Sequence, residues 1–278
     1  MVKKSSRKNN RKSRKHTEKS SKMNYTIENM YNDYLQQKDN LLEIGRGAQG
    51  TVYYNKFNNK SVYKISSSLE NCRKWDIEVN KYKIINSFDI DTSNIKLLKM
   101  KHYLLDETSE TCILELNRVI NPLDIDANYT IQPLFGEMSK DYMYKGRGYF
   151  LGLNNLIEKD ILTEDEIILI ISQLGIVMSR LHYLVRIDCF DIELFLGIEN
   201  NKKIVYIGDF DLSNFIINNY NEEEKQKILD SLTLVEYFPI YDETPELFDI
   251  FSRHYIEEAT KLDKEELATE IIDRYRDY

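Results

Sequence analysis

Two short stretches carry acids whose spacing could do chemistry together. Asp188 and Glu193 lie five positions apart in Arg186-Ile187-Asp188-Cys189-Phe190-Asp191-Ile192-Glu193-Leu194-Phe195-Leu196-Gly197, and Asp209 sits in Gly208-Asp209-Phe210-Asp211. Between them, Asn200-Asn201-Lys202-Lys203 reads as a polar turn. Two apolar strands joined by that turn would pair as a hairpin and point their terminal carboxylates at one spot. Such a cluster suits phosphoryl transfer, in which one carboxylate orients an acceptor hydroxyl and others hold Mg²⁺ against phosphates. The competing reading is a surface hairpin with ordinary end acids.

A phosphate cradle should then lie elsewhere in the chain. Gly45-Arg46-Gly47-Ala48-Gln49-Gly50-Thr51-Val52 supplies one, since glycines allow a tight turn whose backbone N–H groups can face phosphate oxygens. A dinucleotide fold would open a helix after the third glycine. Here the β-prone Val52-Tyr53-Tyr54 follows, then Asn58-Asn59-Lys60 and a second β-rich run, Ser61-Val62-Tyr63-Lys64-Ile65. The order strand, glycine turn, strand, turn, strand excludes the dinucleotide reading. Glu78 falls 14 positions after Lys64, on a segment whose periodicity predicts a helix over 69–88 with Trp75, Val79, Tyr82 and Ile85 on one stripe. On residue type alone Glu78 is an ordinary helix glutamate, and only its position relative to Lys64 singles it out.

Taken together, these features resemble the protein-kinase superfamily. Gly45, Gly47, Gly50 and Val52 look like its glycine-rich loop, Lys64 like its phosphate-binding lysine, and Glu78 like the glutamate that fixes that lysine. Cys112-Ile113-Leu114-Glu115-Leu116 is similar to the strand entering the hinge, which would place Leu114 against adenine and Glu115 at the start of the lobe connection. The pattern D-x4-E … D-F-D is similar to the D-x4-N … D-F-G of protein kinases and to the corresponding signature of aminoglycoside phosphotransferases. By position, Asp188 matches the catalytic aspartate, Glu193 the metal-binding asparagine and Asp209 the metal-binding aspartate. A closer resemblance, over about residues 110–260, is to an uncharacterised kinase-like domain-of-unknown-function family sometimes found in proteins called zinc-finger proteins. The residues that carry it are Leu181-His182, Ile187-Asp188, Asp191-Ile192-Glu193, Leu196-Gly197, Gly208-Asp209-Phe210-Asp211, Tyr237-Phe238-Pro239 and Phe251-Ser252-Arg253-His254-Tyr255.

The resemblance implies an α+β, kinase-like bilobal fold with ATP and Mg²⁺ as ligands. Its expected divisions are a basic tail at 1–23, an N-lobe at 24–119 and a C-lobe at 120–278. The function implied is a kinase-like nucleotide-binding protein, either an ATP/Mg-dependent phosphotransferase or a pseudokinase-type scaffold without turnover. Departures from the pattern bear on that choice. Ile187 stands where protein kinases carry arginine, Phe190 where they carry lysine, Glu193 where they carry asparagine and Asp211 where they carry glycine.

The positioning elements can also be read. Thr163-Glu164-Asp165-Glu166 is a capping box ahead of a broad apolar face running from Ile167 to Leu181, the main buried helix of the second half. His182 closes it and reads as structural. Ile95–Leu105 and Thr111–Val119 are β-like, 120–155 reads as an irregular connector with short elements, and helices are expected over 222–235, 245–259 and 264–275.

Charge divides the chain. The net charge is −8, yet residues 1–23 alone carry +9, leaving −17 for the remainder. That basic segment has too little apolar surface to offset its ordering entropy, so disorder is expected, with nucleic acid a partner only through it. The acidic body argues against a nucleic-acid-binding fold. The apolar run 167–178 is broken by Ser172, Gln173 and Gly175 and is short for a membrane span, and no apolar leader follows the basic residues. Cys72, Cys112 and Cys189 are few and lack metal spacing, which suggests reduced, buried thiols in an intracellular protein, cytoplasmic or nuclear. Nucleotide is the expected partner. The residues do not identify a phosphate acceptor or a protein partner.

Overall fold

The computed structural model describes residues 26–123, 129–144 and 148–278; the basic segment at 1–23 lies outside them. In chain order the elements are α1 (Ile27–Leu35), β1 (Leu41–Arg46), β2 (Thr51–Asn55), β3 (Asn58–Ser66), α2 (Leu69–Ile85), β4 (Ile95–Leu97), β5 (Met100–Asp106) and β6 (Thr111–Asn117). There follow β7 (Thr130–Leu134), β8 (Asp141–Tyr144), β9 (Gly148–Gly152), α3 (Leu153–Glu158) and α4 (Glu164–Ser179). After a π-helical turn at Arg180–Val185 come β10 (Glu193–Glu199), β11 (Lys202–Gly208), α5 (Glu222–Thr233), α6 (Pro245–Lys261) and α7 (Glu265–Arg276). The fold is mixed α+β, with a five-stranded sheet ordered β1-β2-β3-β6-β5 and a separate six-stranded sheet ordered β4-β11-β10-β7-β9-β8.

The first sheet is antiparallel throughout, with short connections joining β1 to β2, β2 to β3 and β5 to β6. Strand alternation in β3 sends Tyr63 and Ile65 to one face, where Ile27 and Met30 of α1 complete a small core with Ile113. Val62 and Lys64 take the opposite face. There α2 buries Trp75, Val79, Tyr82 and Ile85, each at 3% exposure or less, so the predicted stripe is the packed one. No apolar period foretold α1, whose N-terminus is capped by the Thr26 hydroxyl accepting from Asn29 N–H.

Cys72 of α2 and Cys112 of β6 form a disulfide, and Cys189 alone is a buried free thiol, which corrects the expectation of three reduced cysteines. Their spacing of 40 residues gives no local signal. The helix brings them together by docking on the sheet.

Two further corrections concern strands. The β-like run from Ile95 is split, and β4 leaves the first sheet to pair in parallel with β11, so a strand from the first half is built into the second sheet. The stretch read as a connector with short elements supplies three strands of the second sheet, β7, β8 and β9, with β7 and β9 parallel and β8 last in the strand order among the described residues. Pro133 lies within β7, where a proline can donate no ladder hydrogen bond. The proline is tolerated because β7 pairs in register with β10 only at Ile131 opposite Leu196, so the ladder on that side asks no N–H of Pro133.

The capping box at Thr163 forms in both directions, with Glu166 N–H to Thr163 Oγ1 at 3.2 Å and Thr163 N–H to Glu166 Oε2 at 2.9 Å. From there α4 runs against α6. Gly175 lets the two backbones close in, because a Cβ there would lie 2.5 Å from the Phe251 carbonyl oxygen. Together with the π-helical turn, α4 is long and apolar enough to cross a membrane by length and composition, and about two thirds of it is buried within the protein. Its apolar residues therefore serve the main core, with Phe248, Phe251 and Tyr255 of α6.

Candidate functional site

The two sheets face each other across a cavity of about 460 Å³. Its roof is the turn between β1 and β2, where Gly47 N–H bonds the Gly50 carbonyl at 2.8 Å. Gly50 is required by packing: a Cβ there would sit 2.6 Å from the Ile65 carbonyl oxygen and 2.9 Å from the Trp75 ring. Gly45, Gly47, Gly50 and Val52 all line the roof, beside Val62 and Lys64 of β3. Glu193 and Phe195 of β10 lie on the opposing side, with Asp209 and Asp211 at one end.

Lys64 is the hub of that end. Its ammonium lies 3.4 Å from Glu78 Oε2 and 3.9 Å from Asp209 Oδ1, the arrangement the spacing of Lys64 and Glu78 predicts. The Lys64 side chain is 16% exposed and Glu78 only 2%, so the pair works in low dielectric, whereas Asp209 at 37% faces the cavity. Burial acts against the Lys64 charge, but Glu78, Asp209 and Asp211 outweigh it and hold its pKa above the ordinary value. The acids show the converse. Burial, with the neighbouring carboxylates, pushes Glu78 up to about 7 despite Lys64, and Glu193 up to about 8, with Asp209 and Asp191 adding to the effect. Asp209 is raised for the same reasons. One lysine is thus shared by more carboxylates than it can neutralise.

The backbone of the Asp209 segment is held from α2. Tyr82 OH accepts the Asp209 N–H at 3.2 Å, and the Lys81 ammonium donates to the carbonyl oxygens of Phe210 and Asp211 at 3.0 and 2.7 Å. Asp209 itself sits at φ 60°, a left-handed conformation that a non-glycine residue keeps only when its surroundings impose it. From the roof, Gln49 donates to Asp211 Oδ2 at 2.6 Å and accepts from Trp75 Nε1 at 2.9 Å, tying the glycine turn to the opposite end of the cleft. Sequence reading missed Gln49 and Lys81. Their only signal was position, Gln49 between glycines and Lys81 three residues after Glu78.

Three expected site residues lie elsewhere. β6 stays paired to β3 as far as Ser61 opposite Asn117, two residues beyond the expected exit, so Leu116, Asn117, Arg118 and Val119 line the cavity. Leu114 is fully buried opposite Lys64, and Glu115 points to the other face, accepting from Ser61 Oγ at 2.6 Å and bonding His102 Nδ1 at 2.9 Å. Asp188 is 2% exposed and its carboxylate is engaged as a loop staple. Oδ1 accepts the N–H groups of Phe190 and Asn214 at 3.1 and 2.8 Å. The supposed connector contributes what sequence reading could not see: Tyr129 just before β7, Thr130 and Gln132 within it, and Tyr144 and Phe150 from β8 and β9, wall one side of the cavity. Gln132 donates to Glu193 Oε2 at 3.4 Å and accepts from Tyr237 OH at 2.7 Å.

Among the described residues no three His, Cys, Asp or Glu side chains converge as a ready-made metal site. Asp209 and Glu193 nonetheless offer hard oxygen donors to the cavity in an over-acidic setting. That donor set fits Mg²⁺, which takes one or two protein carboxylates and completes its shell with phosphates and water.

No protein-family model matches this chain, and no curated protein matches it.

Proposed function

We propose that this chain is a kinase-like, two-lobed protein that binds ATP with Mg²⁺ in the cleft between its sheets and transfers a phosphoryl group. One observation carries the reading: Lys64, backed by Glu78, faces Asp209 beneath a glycine turn, at the end of a nucleotide-sized cavity. The base would lie toward Leu116–Val119 and Phe195, the phosphates under the turn against Lys64. Asp209 and Glu193 would hold Mg²⁺, which supplies neutralisation of the phosphate charge.

Lys64→Ala removes a charge-assisted contact to phosphate and should weaken ATP binding by about 1.5–3 kcal/mol, roughly tenfold or more. Equilibrium titration of both proteins with ATP and Mg²⁺ measures this, and equal affinities would refute the reading. A second reading, a kinase-shaped scaffold without turnover, draws on Gln49, whose amide already satisfies both Asp211 and Trp75. On that reading the protein would release no ADP from ATP and Mg²⁺, whether or not the nucleotide binds.

A further inference from the structure

We infer that the cleft takes purine nucleoside triphosphates as a class and does not select adenine; the inference rests on the nucleotide reading of the cleft. A pocket that selects one base holds fixed donors and acceptors against the polar edge of that base. Adenine presents the acceptor N1 beside the N6 donor. Guanine and hypoxanthine present the reverse, an N1–H donor beside the O6 acceptor. Telling them apart takes a backbone N–H and C=O in a fixed order along that edge.

At the base end of the cleft the sheets already hold the backbone donors. β6 lies between β3 and β5, and Leu116 is paired on both sides, opposite Val62 and Met100. The pairing continues past it. Asn117 N–H donates to the Lys99 carbonyl at 3.0 Å, and Arg118 N–H to the Lys60 carbonyl at 3.1 Å. Beyond them the chain has joined the second sheet. The Ile120 carbonyl accepts from Ile198 N–H at 2.9 Å, and a Cβ on Gly197 would lie 2.6 Å from Val119 Cγ1.

The side chains there do not restore a fixed order. The Asn117 amide and the Tyr129 hydroxyl can each turn to present a donor or an acceptor, so neither favours one base edge. The Gln132 amide is held at both ends, by Glu193 and Tyr237. The rest of the base end is apolar, with Val52, Val62 and Leu116 on the side of the first sheet and Phe195 opposite. Apolar contact follows ring area, and every base has a π-face, so purines of one size gain alike. The fixed charge lies at the other end, where Lys64 would meet the phosphates whatever the base.

The test titrates the full chain with ATP, GTP and inosine triphosphate, each with Mg²⁺. Inosine triphosphate is the sharpest probe, because hypoxanthine keeps the purine ring system and reverses the hydrogen-bonding edge. The three affinities should agree within about threefold, and Lys64→Ala should weaken all three by the same factor. A preference of about tenfold or more for any one nucleotide, or a Lys64→Ala loss confined to one of them, would overturn the inference and leave nucleotide binding standing. Binding of none of the three would remove the nucleotide reading and this inference together.

Discussion

At the scale of single residues, the cleft is organised by which polar groups are satisfied and by what. Lys81 is instructive because it resembles a surface lysine in sequence, yet it is 6% exposed and donates to two backbone carbonyls of the Asp209 segment. Burial lowers its pKa while Asp211 and Glu78 oppose the shift, which is the setting of a structural cation. Lys81→Met keeps the apolar stem and leaves both carbonyls without a donor. That should cost about 2–4 kcal/mol of stability, measurable by denaturant unfolding, and should weaken Mg²⁺-dependent ATP binding because Asp209 loses its support. An unfolding midpoint equal to wild type would show that water takes over both bonds. Lys64, Glu78, Glu193 and Asp209 were legible from residue type and order. Asp188 was not, because spacing along the chain fixes where a carboxylate stands and leaves open which way the loop turns it.

At the scale of elements, strong periodicity and capping chemistry were readable, and features that depend on partner elements were not. α2 and α4 carried their own signals in the Trp75–Ile85 stripe and the Thr163–Glu166 box. The β7–β9 wall carried none, since its strands are short, one contains Pro133, and β8 is exposed along its whole length. The disulfide belongs here too, because it joins α2, which bears Glu78, to β6, which pairs with Lys64's strand. Closing a loop of this length restricts the unfolded chain and typically contributes about 2–4 kcal/mol. Replacing Cys72 and Cys112 together with alanine should therefore lower stability by about that amount, and reductant should have no further effect on the variant. The same variant should bind ATP more weakly if the bridge also holds Glu78 against Lys64. Unchanged stability would mean that docking of α2 depends on its apolar stripe alone.

At the scale of the whole molecule, stability depends on the core between α4 and α6, and that core contains a titratable group. His182 is fully buried at the π-helical end of α4, bonds Tyr255 OH through Nδ1 at 2.8 Å, and packs edge-on to Tyr255 at 5.8 Å. Burial pushes its pKa down to about 3, against about 6.5 for an exposed histidine. The unfolded chain therefore takes up a proton on His182 at higher pH than the folded protein does. The His182 contribution is complete above pH 6.5 and declines as pH falls from there toward 3, which by linkage is about 2 kcal/mol lost by pH 5. His182→Asn places an amide near the Nδ1 position and removes the titration. Between pH 7.5 and 5 the wild-type protein should thus lose about 2 kcal/mol more stability than His182→Asn, as read from urea unfolding at each pH. Raised carboxylates such as Glu193 act in the opposite sense, binding protons more tightly in the folded state and stabilising it on acidification, but they are common to both proteins and cancel in the comparison. Parallel pH profiles for the two proteins would show that His182 is charged in the folded state, and the tight contact between α4 and α6 would then have to open far enough to admit water.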